Sequence, residues 1–228
     1  MIQSPIHELE SSRMYIPPSF AEDDLPTLHA FVEAHPLGAL ITAGDAGLFA
    51  THLPLLLDRT AGPFGTLTGH VARANPHARH IAGGAREALV LFAGPDAYIT
   101  PSWYATKAES GRVVPTWNYV AVHAYGTIAL RDDPEFLRAF LEALTARHEA
   151  NRAEPWHVSD APEAYIAQQM RAIVGFELQI TRLEGKWKMS QNRPGADIDG
   201  VVGGLAQSDG PGDRTVAALV EARRPAGK

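Results

Sequence analysis

The stretch YITPSWYATKAESGRVVPTWNYVAVHAY, residues 98–125, concentrates the side chains that decide the fold. It holds two of the four tryptophans and four of the six tyrosines of the chain. From residue 119 onward, an aliphatic face alternates with a face of rings. The aliphatic face consists of Val120, Val122 and Ala124, and the other face of Tyr119, Ala121, His123 and Tyr125. The pattern predicts a strand whose aliphatic face lies in the core and whose other face meets a ligand or another subunit.

The composition narrows the class of protein. A chain of 228 residues with 45% hydrophobic residues can bury one good core. The absence of cysteine excludes disulfides, thiolate metal sites and cysteine nucleophiles. The sequence shows no apolar leader and no long apolar run, so we expect a soluble, cytoplasmic protein without membrane contact. The net charge of −6 and the scattered basic residues make direct DNA binding doubtful.

The order of elements favours an α+β fold. A helix is expected after Pro26 and a β-hairpin from 37–42 and 48–57. Further strands are predicted at 65–71, 87–92, 98–100, 117–130 and 173–182. Helices are predicted after Pro134 and after Pro162, the latter with Tyr165, Ile166 and Met170 facing inward. Strands and helices do not alternate as in βαβ units, and Gly-x-Gly-x-x-Gly and Walker motifs are absent, so a mainly antiparallel barrel with added helices is predicted.

Two stretches carry the donors that a small dianion requires. Residues 68–76 (TGHVARANP) and 186–193 (KWKMSQNR) combine cationic side chains with hydroxyl or amide groups. Ten histidines invite a metal interpretation, but a His-Glu-x-x-His motif and matching carboxylate spacing are absent, so no metal site is predicted. Ser102 and Ser190 lack a Gly-x-Ser-x-Gly elbow, which argues against a serine nucleophile.

Five motifs in order resemble the PaiB family of FMN-binding negative transcriptional regulators. They are YITPSWY (98–104), VPTWNY (114–119), VHAYG (122–126), GHVARANP (69–76) and KWKMSQNR (186–193). The family is similar to split-barrel flavoproteins such as pyridoxamine phosphate oxidase, which are homodimers with FMN at the subunit interface. The resemblance implies a mainly antiparallel split barrel with flanking helices, FMN as cofactor and a homodimer. It also implies a flexible extension over 1–13, a barrel domain over 14–193 and a C-terminal helical extension over 194–228.

The resemblance also implies which residues contact the cofactor. Arg73, with Asn75 behind it and His70 ahead of it in the same motif, resembles the segment that holds the FMN phosphate. Thr51 and His52 occupy an early strand that would line the ring. The remaining implied contacts are Trp103, Lys107, Trp117 and Asn118 in the central motifs and Lys188, Ser190, Gln191 and Arg193 in the C-terminal one. One departure concerns residue 71, where Val71 stands in place of the serine that is usual in split-barrel oxidases.

Three functions are consistent with these motifs. The first is a flavin-dependent regulator or sensor, and the second is an FMN-dependent oxidoreductase that acts on a small molecule. The third is haem binding on the same barrel, with His52, His70 or His123 as conceivable ligands. A slot rich in rings with cationic ends favours a small anionic ligand.

Overall fold

The computed structural model of the chain describes residues 14–44, 47–83 and 87–227. The extension predicted over residues 1–13 lies outside these ranges. The prediction of a barrel domain ending at residue 193 and a helical extension beyond it stays a prediction.

Eight strands form one sheet in the part of the chain that the structure describes. They are β1 (Ala21–Glu22), β2 (Leu37–Gly44), β3 (Gly47–Pro54), β4 (Leu56–Asp58), β5 (Thr66–Ala72), β6 (Glu87–Ile99), β7 (Thr116–Arg131) and β8 (Ile173–Lys188). Their order in the sheet is β3-β2-β6-β7-β8-β5-β4, and β1 also pairs with β8. The pairs β1–β8, β2–β3, β2–β6, β4–β5 and β5–β8 are antiparallel. The order does not close on itself, and the predicted class, a mainly antiparallel split barrel with flanking helices, is confirmed.

Seven helices accompany these strands in the described residues. They are α1 (Leu25–Ala34), α2 (Pro76–Ala82), α3 (Thr106–Ser110), α4 (Pro134–Glu149), α5 (Glu163–Arg171), α6 (Gly195–Ala206) and α7 (Asp213–Ala222). Helix α4 begins as its sequence dictates, because the Asp133 carboxylate accepts a hydrogen bond from the Glu135 amide at 2.9 Å. None of the described helices combines the length and apolar character needed to cross a membrane.

The chain divides into two compact units. Unit A comprises Leu25–Phe92 and His123–Leu183, and unit B comprises Ala93–Val122, Glu184–Lys228 and the described part of Met1–Asp24. In unit A, the alternation predicted for 173–182 is confirmed, since Val174, Phe176, Leu178 and Ile180 are buried. In unit B, Val120 and Val122 are buried as predicted, together with Trp187 and Met189 of the C-terminal segment.

Several elements differ from the sequence-based expectation. The strand predicted over 48–57 is interrupted at Leu55, whose amide donates to Pro36 O at 2.9 Å before β4 pairs with β5. β6 continues through Pro95, where two strands had been expected, and α3 was not predicted. The inward orientation of Tyr165 is wrong, because this side chain is 53% exposed whereas Ile166 is buried. Tyr165 and Ile166 are neighbours about 100° apart on the helix, so both cannot face the core centrally.

Candidate functional site

In unit A, two of the predicted site residues, Asn75 and Thr51, contact each other at the start of α2. Asn75 is the N-cap residue of this helix, and its Oδ1 accepts a hydrogen bond from the His77 amide at 3.0 Å. Asparagine suits this position because its side chain satisfies a free helix amide, and Pro76 behind it has the φ of a first helical turn. The other end of the same side chain, Nδ2, donates to Thr51 Oγ1 on β3 at 3.2 Å. Asn75 thus links the N-terminus of α2 to strand β3.

The imidazole of His77 extends this contact into the interior. His77 is fully buried, with Nδ1 2.8 Å from Thr51 Oγ1 and Nε2 2.9 Å from Thr42 Oγ1. Thr42 Oγ1 in turn lies 2.8 Å from His80 Nδ1. Burial, and secondly the neighbouring His80, lowers the pKa of His77 to about 4, so its ring is neutral near pH 7. The side chains of Thr51, His77, Thr42 and His80 are thus linked one after another by hydrogen bonds. We call this hydrogen-bonded series the histidine chain.

The sequence predicted no metal site, and His77 and His80 were not among the cofactor contacts that the family resemblance implied. No cluster of three or more metal-ligating side chains exists in the described ranges. Two features of the sequence indicate that His77 and His80 share one face of a capped helix. Asn-Pro before His77 marks a helix start with a fixed cap, and the i, i+3 spacing places His80 on the same face.

Arg73 lies directly after β5, and its guanidinium forms hydrogen bonds at the protein surface. Its Nη1 donates to Asp132 Oδ2 at 2.8 Å, its Nη2 donates to Asp132 Oδ1, and its Nε donates to Arg171 O at 3.0 Å. The hydrogen bonds from Arg73 lower the pKa of Asp132 below its ordinary value. Arg73 also lines a pocket of about 430 Å³. The other lining residues are Asp132, Pro134, Glu135, Leu137, Arg138, Glu163, Ala167, Met170 and Arg171.

His52 and His70 have surroundings different from that of Thr51. His52 is exposed and projects from the opposite face of β3 from Thr51, because successive side chains of a strand alternate. His70 on β5 is half-buried, and its ring packs edge-on against Phe140 of α4 with 5.6 Å between ring centres. Burial lowers its pKa, and its buried Nδ1 has no hydrogen-bond partner in the described ranges.

In unit B, the C-terminal motif forms a loop held by its own amides. Asn118 Nδ2 donates to Ser190 Oγ at 3.0 Å, and both side chains are buried. Gln191 Oε1 accepts from the Met189 amide at 2.7 Å, and Gln191 Nε2 donates to Trp187 O at 2.6 Å. Ser190 adopts φ 63°, the left-handed region that non-glycine residues rarely occupy. These contacts bring the predicted residues together and show that their amide groups stabilise the loop.

Lys188 lies beside the same loop. Its ammonium donates to Thr116 Oγ1 and, at 2.6 Å, to Trp117 O. Burial lowers the pKa of Lys188, and the positive charges of Lys186 and Arg193 lower it further. A cation in this position is therefore shared between a hydroxyl and a carbonyl and is not paired with a carboxylate in these contacts.

Ring contacts account for three more predicted residues. The Arg193 guanidinium lies over the Tyr104 ring at 4.5 Å, within the range of a cation–π contact. Trp117 is 53% exposed, and its ring meets that of Tyr98 edge-on with 6.0 Å between centres. Trp103 packs on α6, where a Cβ atom added at Gly204 would lie 2.3 Å from its ring.

Lys107 is the last of the predicted residues in unit B. It is exposed on α3, and its Nζ donates to Ser102 Oγ at 3.1 Å. Among the unit B residues, Lys107 and Trp117 are therefore accessible to a ligand. Asn118, Ser190 and Gln191 are instead buried in loop contacts.

The fold defines a class of protein, the mainly antiparallel split barrel with flanking helices. Residues 14–182 match the model of the family described as "Putative FMN-binding domain". The chain therefore belongs to this family, which agrees with the PaiB resemblance of its motifs.

Relatives match the chain over most of their length, and solved structures share its fold. An uncharacterized protein of Emericella nidulans is 34% identical, with 92% of this chain and 97% of the relative covered. The protease synthase and sporulation protein PAI 2 of Bacillus subtilis is 32% identical, with coverages of 91% and 97%. The FAD and haem binding protein from Mycobacterium smegmatis has a TM-score of 0.53 at 19% identity, covering 74% of this chain and 73% of that protein. A flavocytochrome from Azotobacter vinelandii has a TM-score of 0.52 at 17% identity, with coverages of 81% and 75%. The two structures share the fold of this chain.

Proposed function

We propose that the chain binds FMN and acts as a flavin-dependent regulator or sensor of the PaiB type. The observation that carries this proposal is the hydrogen bond between Asn75 and Thr51, which joins two residues that the family resemblance implies as cofactor contacts. Arg73 precedes Asn75 by two residues and supplies a cation close to it along the chain. Support also comes from the FMN-binding family and from the sporulation-related name of the Bacillus relative.

The donors of unit A fit the chemical groups of FMN. Arg73 is solvent-accessible and can exchange the Asp132 carboxylate for a phosphate, since each group presents two oxygen acceptors that a guanidinium can bind together. Thr51 is partly exposed and supplies a hydroxyl for a polar atom of the ligand. A bound flavin supplies reversible electron transfer and visible absorption. The role of the chain's own residues is to hold the phosphate and to orient the ring.

The test is a titration of the purified full chain with FMN, riboflavin and haem, followed by absorption and fluorescence. We expect saturable FMN binding that is tighter than riboflavin binding, because only FMN carries the phosphate for Arg73. A Soret band with haem and no flavin binding would contradict the proposal and favour the haem alternative.

Regulation is proposed to depend on the ligand or on a partner protein. With a net charge of −6, the chain repels a polyanion at long range. We expect no tight binding to promoter or random duplexes at physiological salt in an anisotropy assay. Sequence-specific binding by the protein alone at nanomolar concentration would show that the chain contacts DNA directly.

A second candidate is an FMN-dependent oxidoreductase that acts on a small molecule. The pocket of about 430 Å³ beside Arg73 favours it, because small-molecule sites are commonly of this size. Reduction of bound flavin by NADH or NADPH, followed by reoxidation with a panel of small acceptors, tests this candidate. Flavin that no nicotinamide reductant reduces would favour the sensor function.

We also propose a homodimer. Trp117 and Tyr98 are 53% and 49% exposed and form a ring pair on the surface of unit B. Exposed aromatic clusters are typical of protein interfaces. We expect light scattering to give a dimer mass at micromolar concentration and a monomer for Trp117→Asp. A native chain that stays monomeric would remove this proposal.

A further inference from the structure

The Thr42 hydroxyl of the histidine chain can donate its proton to only one of two imidazoles. Thr42 is 1% exposed, and the contacts that its Oγ1 makes in the described residues are with His77 Nε2 and His80 Nδ1. A buried hydroxyl proton without an acceptor is costly. Thr42 therefore donates to one imidazole and accepts from the other. The hydrogen bonds of the histidine chain can consequently run in one of two directions, which we call its polarity.

The Asn75 end of the chain is fixed by the helix cap. Its Oδ1 is used as the acceptor for the His77 amide, so the atom that faces Thr51 is the Nδ2 donor. Thr51 Oγ1 consequently accepts one hydrogen bond from Asn75. Its remaining contact in the described residues is with His77 Nδ1, either as donor or as acceptor.

The His80 end selects between the two polarities. Its Nε2 is buried without a hydrogen-bond partner in the described ranges, and a Cβ atom added at Gly44 would lie 2.3 Å from it. A proton on Nε2 would be a buried donor without an acceptor, and orphaned donors are rarer in proteins than orphaned acceptors. His80 thus carries its proton on Nδ1 and donates it to Thr42.

The polarity then propagates along the chain. Thr42 donates to His77 Nε2, and His77 carries its proton on Nδ1 and donates it to Thr51. Thr51 accepts from both Asn75 and His77, so its own hydroxyl proton points to neither. We propose that the Thr51 hydroxyl donates a hydrogen bond to an acceptor atom of the bound flavin, with His77, Thr42 and His80 as positioning residues that enforce this direction. The proposal rests on the proposed function, because the ligand is FMN.

The first experiment measures the polarity without a ligand. Long-range proton–nitrogen NMR of the nitrogen-labelled full chain reports which ring nitrogen of each histidine carries the proton. We expect His77 and His80 both to be protonated on Nδ1. A proton on Nε2 of His77 would overturn the proposal, because Thr51 would then donate to His77.

The second experiment measures the hydrogen bond to the flavin. Thr51→Val should weaken FMN binding by about 3- to 10-fold, and Thr51→Ser, the matched control, should stay within about 2-fold of the native chain. An equal loss for riboflavin would place the acceptor on the ring system or the ribityl chain, and a loss for FMN alone would place it on the phosphate. Unchanged affinity of Thr51→Val for both flavins would overturn the proposal.

The third experiment tests the positioning role. Thr42→Val removes the hydrogen bond that His77 Nε2 accepts, so His77 is held less firmly and FMN binding should weaken by about 2- to 5-fold, while the His77 proton stays on Nδ1 because Nε2 would have no acceptor. Thr42→Ser should behave as the native chain. In a Thr51→Val background, Thr42→Val should add no further loss. Losses that simply add would overturn the positioning role. If the native protein binds no flavin, the proposed function fails and the hydrogen bond to the flavin fails with it. If the native protein binds flavin but His77 carries its proton on Nε2, only the present proposal is overturned.

Discussion

Loss of the Arg73 guanidinium should weaken FMN binding and leave riboflavin binding unchanged. The magnitude follows from the contacts that Arg73 must exchange. Its pair with Asp132 is exposed on both sides, at 41% and 59% of the side chains, and such pairs contribute about 0.2–1 kcal/mol. A charge-assisted hydrogen bond to phosphate contributes about 1.5–3 kcal/mol. The difference, about 1–2 kcal/mol, corresponds to a loss of roughly 5- to 30-fold for Arg73→Ala.

The same reasoning gives the opposite sign for the partner of Arg73. Asp132→Asn removes the competing carboxylate charge, so it should strengthen FMN binding by up to about 5-fold. Riboflavin lacks the phosphate and should respond to neither change. Arg138→Ala is the matched control, because Arg138 lines the same pocket and pairs with Glu163 in a similar way.

The assay is a fluorescence titration of each variant with both flavins, with circular dichroism as the check on folding. Equal losses for FMN and riboflavin would show that Arg73 acts through the structure of the pocket. An equal loss for Arg138→Ala would show that the effect is a general change in charge. Weaker FMN binding by Asp132→Asn would refute the proposed exchange of carboxylate for phosphate.

Three further predictions concern stability. The unfolded chain protonates His77 near its ordinary pKa of 6.5, whereas the native chain does so only near about 4. The native free energy of unfolding should thus fall by up to about 3 kcal/mol as the pH drops through this window, and urea titrations should show a smaller fall for His77→Asn. Gly204→Ala should lower the free energy of unfolding by about 1–3 kcal/mol because the added Cβ would meet Trp103. Gly203→Ala is the control, because the space around Gly203 is open. A similar melting temperature for both variants would contradict this packing. Ser190→Gly should be more stable than Ser190→Ala by about 1 kcal/mol in chemical denaturation, because glycine tolerates φ 63° without strain.

Sequence periodicity predicted the parts of the fold in which one face of a strand is buried. The buried face of β8 follows from the alternation of Val174 to Ile180. The same reasoning failed where a tertiary contact overrides a local signal: β6 continues through Pro95 despite the turn signal, and β8 extends into the charged residues up to Lys188. Propensity is a local quantity, whereas strand length depends on pairing with distant segments.

The site shows the same limit. The family resemblance implied Thr51 and Asn75 as separate cofactor contacts, and the structure shows that their side chains contact each other. Their role in binding FMN stays a prediction. The histidine chain could not be predicted, because it requires His77 to meet Thr42 and Thr51, which lie 35 and 26 residues earlier. A sequence shows that a histidine is present, but its hydrogen-bond partners depend on the folded positions of β2 and β3.

The composition of unit B has a consequence for synthesis. Its segments are widely separated along the chain: the Met14 amide donates to Glu184 across 170 residues, and Asn118 meets Ser190 across 72. A nascent chain emerges from its N-terminus, so Met14 has no Glu184 to contact until most of the protein has left the ribosome. Long-range contacts of this kind slow folding. Unit B must therefore form after Glu184 and Ser190 have been synthesised, and a nonsense mutation before Glu184 would leave Met14 without this partner.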